Sequence, residues 1–305
     1  MKIMLIGRNG QVGWELRRSL AVLGQVVACD RETADLSKPE TLRPLIARMR
    51  PDVIVNAAAY TMVDKAEEEE ALANTINAEA VCVLAAEARA AGALFVHYST
   101  EYVFDGVKQG AYNEDDTTNP LNAYGRSKLA GERAVNATGG DWLVFRTSWV
   151  YGARGKNFLR TMLRLGAERE TLNVVADQFG APTPARMIAD ITAHAIREAD
   201  RERRLGAFES GIFHLTAGDV TTWHGFASAI IDEARARLPG DAIKARTVTP
   251  IPTCAYPTPA RRPGNSALNN AKLERRFKIS REPWQAGMSL VLDDVFDQVG
   301  TRWTR

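Results

Sequence analysis

Lys2-Ile3-Met4-Leu5-Ile6-Gly7-Arg8-Asn9-Gly10-Gln11-Val12-Gly13 runs from a short apolar strand through three spaced glycines into the start of a helix. Each glycine has a task in such a turn. Gly7 permits the tight reversal, Gly10 lets backbone approach a pyrophosphate, and Gly13 lets the helix pack closely on the sheet. Free N–H groups at the helix start then face the phosphates. An acidic residue closing the second strand completes the pattern by reaching a ribose hydroxyl, and Asp30 closes Val26-Val27-Ala28-Cys29-Asp30. Arg31 follows it, and an arginine there suits a 2′-phosphate, whereas Asp30 repels one. The residues therefore point to a nicotinamide dinucleotide and leave NADPH or NADH open.

Outward from this turn, apolar runs alternate with segments of helical period, the pattern of successive βαβ units. Strands are predicted at 2–7, 25–30, 53–57, 94–100 and 143–148, with helices at 11–23, 39–48, 66–91 and 123–135. The run Val53-Ile54-Val55 is apolar without alternation, as in a parallel sheet covered on both faces. The expected fold class is α/β, a Rossmann-like doubly wound parallel sheet with a smaller C-terminal lobe. A chain of 305 residues, against a prior of ~150 per domain, divides into an NAD(P)-binding domain over 1–150 and a mainly substrate-binding lobe over 151–305. Some segments of that lobe are expected to return to the sheet. A strand at 171–176 and helices at 185–198 and 223–237 are predicted there. Five prolines between Thr249 and Pro263 exclude a helix interior or central strand.

Composition removes several function classes. With 39 Lys and Arg against 37 Asp and Glu, a formal charge of +2 is too balanced for a general nucleic-acid or anionic-membrane binder. No stretch reaches the ~18 apolar residues of a membrane span, and the opening run is too short for a signal peptide. Cys29, Cys82 and Cys254 have no C-x-x-C spacing, so neither a disulfide framework nor a zinc site is indicated. The expected setting is cytoplasmic. Glu67-Glu68-Glu69-Glu70, at the start of the long helix after Asp64, reads as a solvated first turn that complements the helix dipole.

Tyr124 and Lys128, four apart, share one helical face. Thr100 ends a strand of a parallel sheet, where such folds place their ligands. A tyrosine phenol, with an ordinary pKa of ~10, exchanges protons near neutrality only if a cation steadies its anion, and Lys128 is positioned to supply one. Tyr124 would then protonate a carbonyl oxygen as hydride reaches its carbon, with the Thr100 hydroxyl orienting that oxygen. His97, inside an apolar strand, reads as core.

These residues resemble the extended short-chain dehydrogenase/reductase superfamily and, within it, the dTDP-4-dehydrorhamnose reductase family. The resemblance rests on the glycine turn with Trp14-Glu15-Leu16, on Val55-Asn56-Ala57-Ala58-Ala59-Tyr60-Thr61 and on Tyr98-Ser99-Thr100-Glu101-Tyr102-Val103-Phe104. Later stretches add to it: Arg146-Thr147-Ser148-Trp149-Val150-Tyr151, Asp177-Gln178-Phe179-Gly180-Ala181-Pro182-Thr183 and Tyr256-Pro257-Thr258-Pro259-Ala260-Arg261-Arg262-Pro263. It implies NADPH- or NADH-dependent reduction of the C4 keto group of dTDP-4-dehydro-L-rhamnose, with Thr100, Tyr124 and Lys128 catalytic. It also implies cofactor contacts at Gly10, Gln11, Val12, Asp30, Asp35, Leu36, Ala59, Tyr60, Thr61, Tyr124 and Lys128, beside Gly7, Gly13 and Arg31 from the motifs above. Sugar-nucleotide contacts would fall on Thr100, Glu101 and Trp149. Arg261 and Arg262 suit the diphosphate because guanidinium matches phosphate oxygens bidentately.

Two departures stand out. Glu101 replaces the aspartate of many members, and Arg186 stands where a glutamate would join Glu15 in holding a dimer-linking magnesium. No metal is therefore expected, Glu15 serving only if such a metal-linked dimer forms, and the chain is read as a monomer or homodimer. Two alternatives stay open: another nucleotide-sugar ketoreductase or epimerase, and a non-catalytic regulatory subunit of the methionine adenosyltransferase type.

Overall fold

The computed structural model describes residues 1–297; positions 298–305, assigned above to the lobe, lie outside the described residues. Five parallel strands come from the first half: β1 (Lys2–Ile6), β2 (Gln25–Cys29), β3 (Val53–Asn56), β4 (Leu94–Thr100) and β5 (Trp142–Thr147). A sixth, β6 (Gly211–His214), pairs with β5 from the second half. The order is β6-β5-β4-β3-β1-β2, so the chain changes direction across the sheet between β1 and β3. The crevice at such a switch point is where open α/β sheets bind ligands.

Side chains alternate along each strand and fill two cores. Ile3, Leu5, Val53 and Val55 face helices α1 (Gln11–Leu20) and α7 (Ala185–Arg204), with Leu273 and Phe277 of α9 (Ala271–Phe277) in the same cluster. Met4, Ile6 and Ile54 face α2 (Leu42–Met49) and α4 (Ala80–Ala90), with Val135 of α5 (Ala123–Thr138). A third core lies among α6 (Phe158–Glu168), α8 (Trp223–Arg237) and α10 (Trp284–Asp297). Thus α7, β6 and α9 of the second half complete the layers around the main sheet. Among the described residues the strand Thr171–Val175 pairs, in parallel, only with Thr247–Ile251, which contains Pro250; an edge tolerates a proline's missing N–H.

The expected helix over 66–91 is a correction. It breaks into a 3₁₀ turn (Lys65–Glu67), a short helix α3 (Glu70–Asn74), a π turn (Thr75–Glu79) and α4. The π turn aims Asn77 inward, where its amide donates to the Tyr60 carbonyl (3.0 Å) and Ser127 Oγ (2.9 Å) and accepts from the Tyr60 N–H (2.9 Å). Such bulges concentrate at functional sites. The acidic run is likewise not a merely solvated turn. Glu67 accepts from the Ala123 N–H (2.7 Å), Glu69 from the Tyr60 hydroxyl (2.7 Å), and Glu70 pairs with Arg126. Two of these carboxylates hold the opening of α5, the helix that carries Tyr124 and Lys128.

Candidate active site

The glycine turn adopts the geometry that its residues allow. Gly7 has φ +90°, and a Cβ there would lie 2.7 Å from the Ala58 nitrogen; one on Gly13 would lie 2.0 Å from the Gly7 carbonyl oxygen. Around Gly10 only that same carbonyl oxygen comes within 4 Å of a Cβ. No side chain caps α1, so its leading N–H groups remain available to an anion.

A cleft of about 820 Å³ opens beside this turn. Of the sequence-predicted residues, Gly7, Gly10, Gln11, Val12, Asp30, Arg31, Asp35, Leu36, Ala59, Thr61, Thr100, Glu101, Tyr124, Lys128 and Trp149 line it. Others stand apart from it. Gly13 packs behind the turn. Tyr60 turns its hydroxyl to Glu69, and burial with that carboxylate pushes the phenol up to about 12. Arg262 holds Asp64 through both terminal nitrogens (3.0 and 2.8 Å), and Arg261 is exposed. Ser99 Oγ and Thr147 Oγ1, at the ends of adjacent strands in the cleft wall, are buried without a hydrogen-bond partner among the described residues. Orphaned buried hydroxyls of this kind suit a polar ligand.

Asp30 is held by Arg8 Nη2 (2.6 Å) and by the Thr33 N–H and hydroxyl (3.1 and 3.0 Å). These hydrogen bonds, with the Arg8 charge, keep its carboxyl below the ordinary range. Arg8 was not singled out in the sequence, although its place inside the glycine turn beside a strand-end aspartate was the available signal.

Thr100 ends β4 and caps the 3₁₀ turn that follows. Its Oγ1 accepts from the Tyr102 N–H (3.2 Å) and donates to Glu101 Oε2 (2.7 Å). The Asn122 side chain caps α5 by accepting from the Gly125 N–H (2.8 Å), which brings Tyr124 into the first turn. A Cβ on Gly125 would meet the Tyr102 carbonyl at 2.2 Å, so this glycine lets the helix start press against the 3₁₀ turn after Thr100. Burial raises the Tyr124 phenol well above the ordinary value.

Lys128 shares the cleft with Tyr124, and its hydrogen-bond partners lie on β4. Its Nζ donates to the Tyr98 carbonyl (2.6 Å) and lies 3.2 Å from His97 Nε2. Burial pushes this ammonium down to about 8, against the opposing pull of Glu132. His97 is in the core as expected, and it also touches this lysine. Its other ring nitrogen lies 3.2 Å from Asn56 Nδ2, and burial holds the imidazole neutral.

Trp149 sits at φ +47°, a conformation that costs a non-glycine residue energy. Its indole stacks on Trp223 with centroids 3.6 Å apart and planes 12° from parallel. On Gly180 a Cβ would lie 2.6 Å from the same indole. Trp223 carried no motif and was missed for that reason. On the far side of α1, Glu15 lies 3.5 Å from Arg186 Nε, and Arg186 also pairs with Asp294.

Comparisons agree with this architecture. The family described as the RmlD substrate binding domain matches residues 1–296. The dTDP-4-dehydrorhamnose reductase of Burkholderia thailandensis is 59% identical over 299 residues, covering 98% of this chain and 100% of that protein. A crystal structure of the dTDP-4-dehydrorhamnose reductase from Clostridium acetobutylicum aligns with a TM-score of 0.86 at 35% identity, covering 97% of this chain and 99% of that one. The Bacillus anthracis enzyme of the same name, solved in complex with NADP, gives a TM-score of 0.85 at 31% identity, with 96% and 99% covered. A match over nearly the whole chain, joined to the glycine turn and the cleft that it opens, establishes that the chain belongs to the RmlD substrate binding domain family.

Proposed function

We propose that this chain reduces the C4 keto group of dTDP-4-dehydro-L-rhamnose to give dTDP-L-rhamnose, the last step of dTDP-rhamnose synthesis, using NADPH or NADH. The observation that carries the reading is the gathering of Thr100, Tyr124 and Lys128 in one cleft with the uncapped start of α1. The cleft's glycine turn and its orphaned hydroxyls fit a dinucleotide. When bound, the reduced nicotinamide supplies the hydride.

The chain's own residues do the rest. Tyr124, kept as a neutral phenol by burial, donates its proton to the carbonyl oxygen, and Thr100 orients that oxygen. Lys128, fixed on the Tyr98 carbonyl, holds a positive charge in the site below about pH 8. Gly7, Gly10, Gln11 and Val12 receive the pyrophosphate, and Asp30 meets the adenosine ribose. Because Arg8 offsets its charge, Asp30 repels a 2′-phosphate less than a bare carboxylate would, which favours use of both cofactors. Trp149 and Glu101 face the sugar. Arg261 is the better candidate for the diphosphate, since Arg262 is already paired. We read residues 1–150 as the cofactor domain and 151–305 as mainly the substrate lobe. We read the protein as cytoplasmic, and as a monomer or a homodimer without a metal link, because Arg186 lies beside Glu15. Among the described residues no helix is long and apolar enough to cross a membrane.

The test follows NADPH and NADH oxidation with dTDP-4-dehydro-L-rhamnose generated in situ, with Tyr124→Phe as the control. Oxidation that requires the sugar nucleotide and is lost in the variant is the expected outcome. Cofactor binding without oxidation would overturn the substrate assignment and favour another nucleotide sugar.

A further inference from the structure

The Thr100 hydroxyl has one hydrogen to donate, and Glu101 accepts it. A threonine hydroxyl offers one donor and two acceptor positions. Here the donor goes to Glu101 Oε2 at 2.7 Å, while the Tyr102 N–H occupies an acceptor position. A hydroxyl committed in this way cannot also donate to a substrate carbonyl. Glu101 itself is unusual: only 4% exposed, it carries a carboxyl with no ion-pairing cation among the described residues. Lys128 is engaged on the Tyr98 carbonyl and Arg262 on Asp64. The groups that face Glu101 are Thr100 from β4, Tyr102 from the following turn and Tyr124 from α5. An isolated carboxylate in such surroundings is costly.

We propose that Glu101 is a positioning residue that gates Thr100: as a carboxylate it accepts the hydrogen bond of the Thr100 hydroxyl, and as a neutral acid it frees that hydroxyl to donate a hydrogen bond to the substrate's carbonyl oxygen, Tyr124 remaining the proton donor. The form competent for reduction is then the one with Glu101 protonated. Burial pushes this carboxyl up to about 7, so both forms are populated near neutrality. The inference rests on the ketone-reducing role proposed above.

The test is the pH dependence of kcat and KM for the wild-type enzyme, Glu101→Gln, Thr100→Val and the double variant. Wild-type kcat is expected to fall as pH rises through about 7, approaching tenfold per pH unit. Glu101→Gln cannot ionise, so its decline should shift to about 8, where Lys128 loses its charge. In the Thr100→Val background, Glu101→Gln should leave the pH profile of that variant unmoved. An unshifted limb in Glu101→Gln, or a rise in KM alone, would overturn the gate and leave Glu101 as a plain substrate contact. If Glu101→Gln does not fold, carbon-13 NMR of glutamate carboxyls in the wild-type protein reads the same group. One carboxyl titrating near about 7 supports the proposal, and ordinary titration of every glutamate overturns it. Absence of wild-type turnover would instead count against the reductase reading, while the carboxyl titration would still test the gate.

Discussion

At the residue scale the proposed catalytic trio separates into distinct electrostatic roles. Tyr124 is a buried neutral acid, so Tyr124→Phe removes only the proton donor; kcat should fall by about 10²–10⁴-fold with cofactor affinity retained, as checked by turnover and by fluorescence titration of the cofactor. Lys128 is a buried cation whose charge is lost above about pH 8, so activity should decline as pH rises through that value. Its folded-state value lies below the ordinary ~10.4, so the unfolded chain binds the extra proton between the two and stability rises with pH across that window. Lys128→Met should abolish that pH-dependent gain in denaturant titrations and weaken cofactor binding as well. The Tyr–Lys spacing was legible in the sequence. The direction of the lysine was not, because the Tyr98 carbonyl and His97 that hold it lie on another strand.

At the element scale, α5 is the scaffold on which the chemistry depends. It is anchored by Glu67 and Glu70 at its start and, in its middle, by Glu132, which forms a fully buried bidentate pair with Arg146 of β5 (2.9 and 2.7 Å). Glu132→Ala leaves that guanidinium buried and unpaired and should cost about 3–5 kcal/mol in chemical denaturation. Gly13→Ala drives a methyl into the Gly7 carbonyl. An overpacking cost of about 1–3 kcal/mol in a melting experiment is expected, with weaker cofactor binding as the turn is displaced. The boundaries of β4 and α8 were readable from their own residues, since apolar runs and helical period are local signals. The break at Thr75–Glu79 was not, because nothing near Asn77 in the sequence announces that Tyr60 and Ser127 await its amide.

At the scale of the whole molecule, the two halves are tied across the cleft by Arg262 and Asp64, with Asn122 Nδ2 donating to the Arg261 carbonyl (2.8 Å). This pairing separates two roles for Arg262. If it acts as a tie, Asp64→Ala and Arg262→Ala should raise the KM for the sugar nucleotide by similar factors; if it binds the diphosphate directly, Asp64→Ala should leave KM unchanged or lower it. Steady-state kinetics of the two variants decide. What the sequence determined by itself was the α/β class, the strand-turn-helix at Gly7–Gly13, Asp30 at a strand end and the Thr100, Tyr124 and Lys128 set, because each depends on a local period or a fixed short spacing. Only the tertiary structure decided that Gly211–His214 is the sixth strand, that Trp149 rests on Trp223 and that Arg262 is spent on Asp64. Those contacts join residues from separate elements, and in each case the partner is selected by packing and burial, which a linear spacing does not encode.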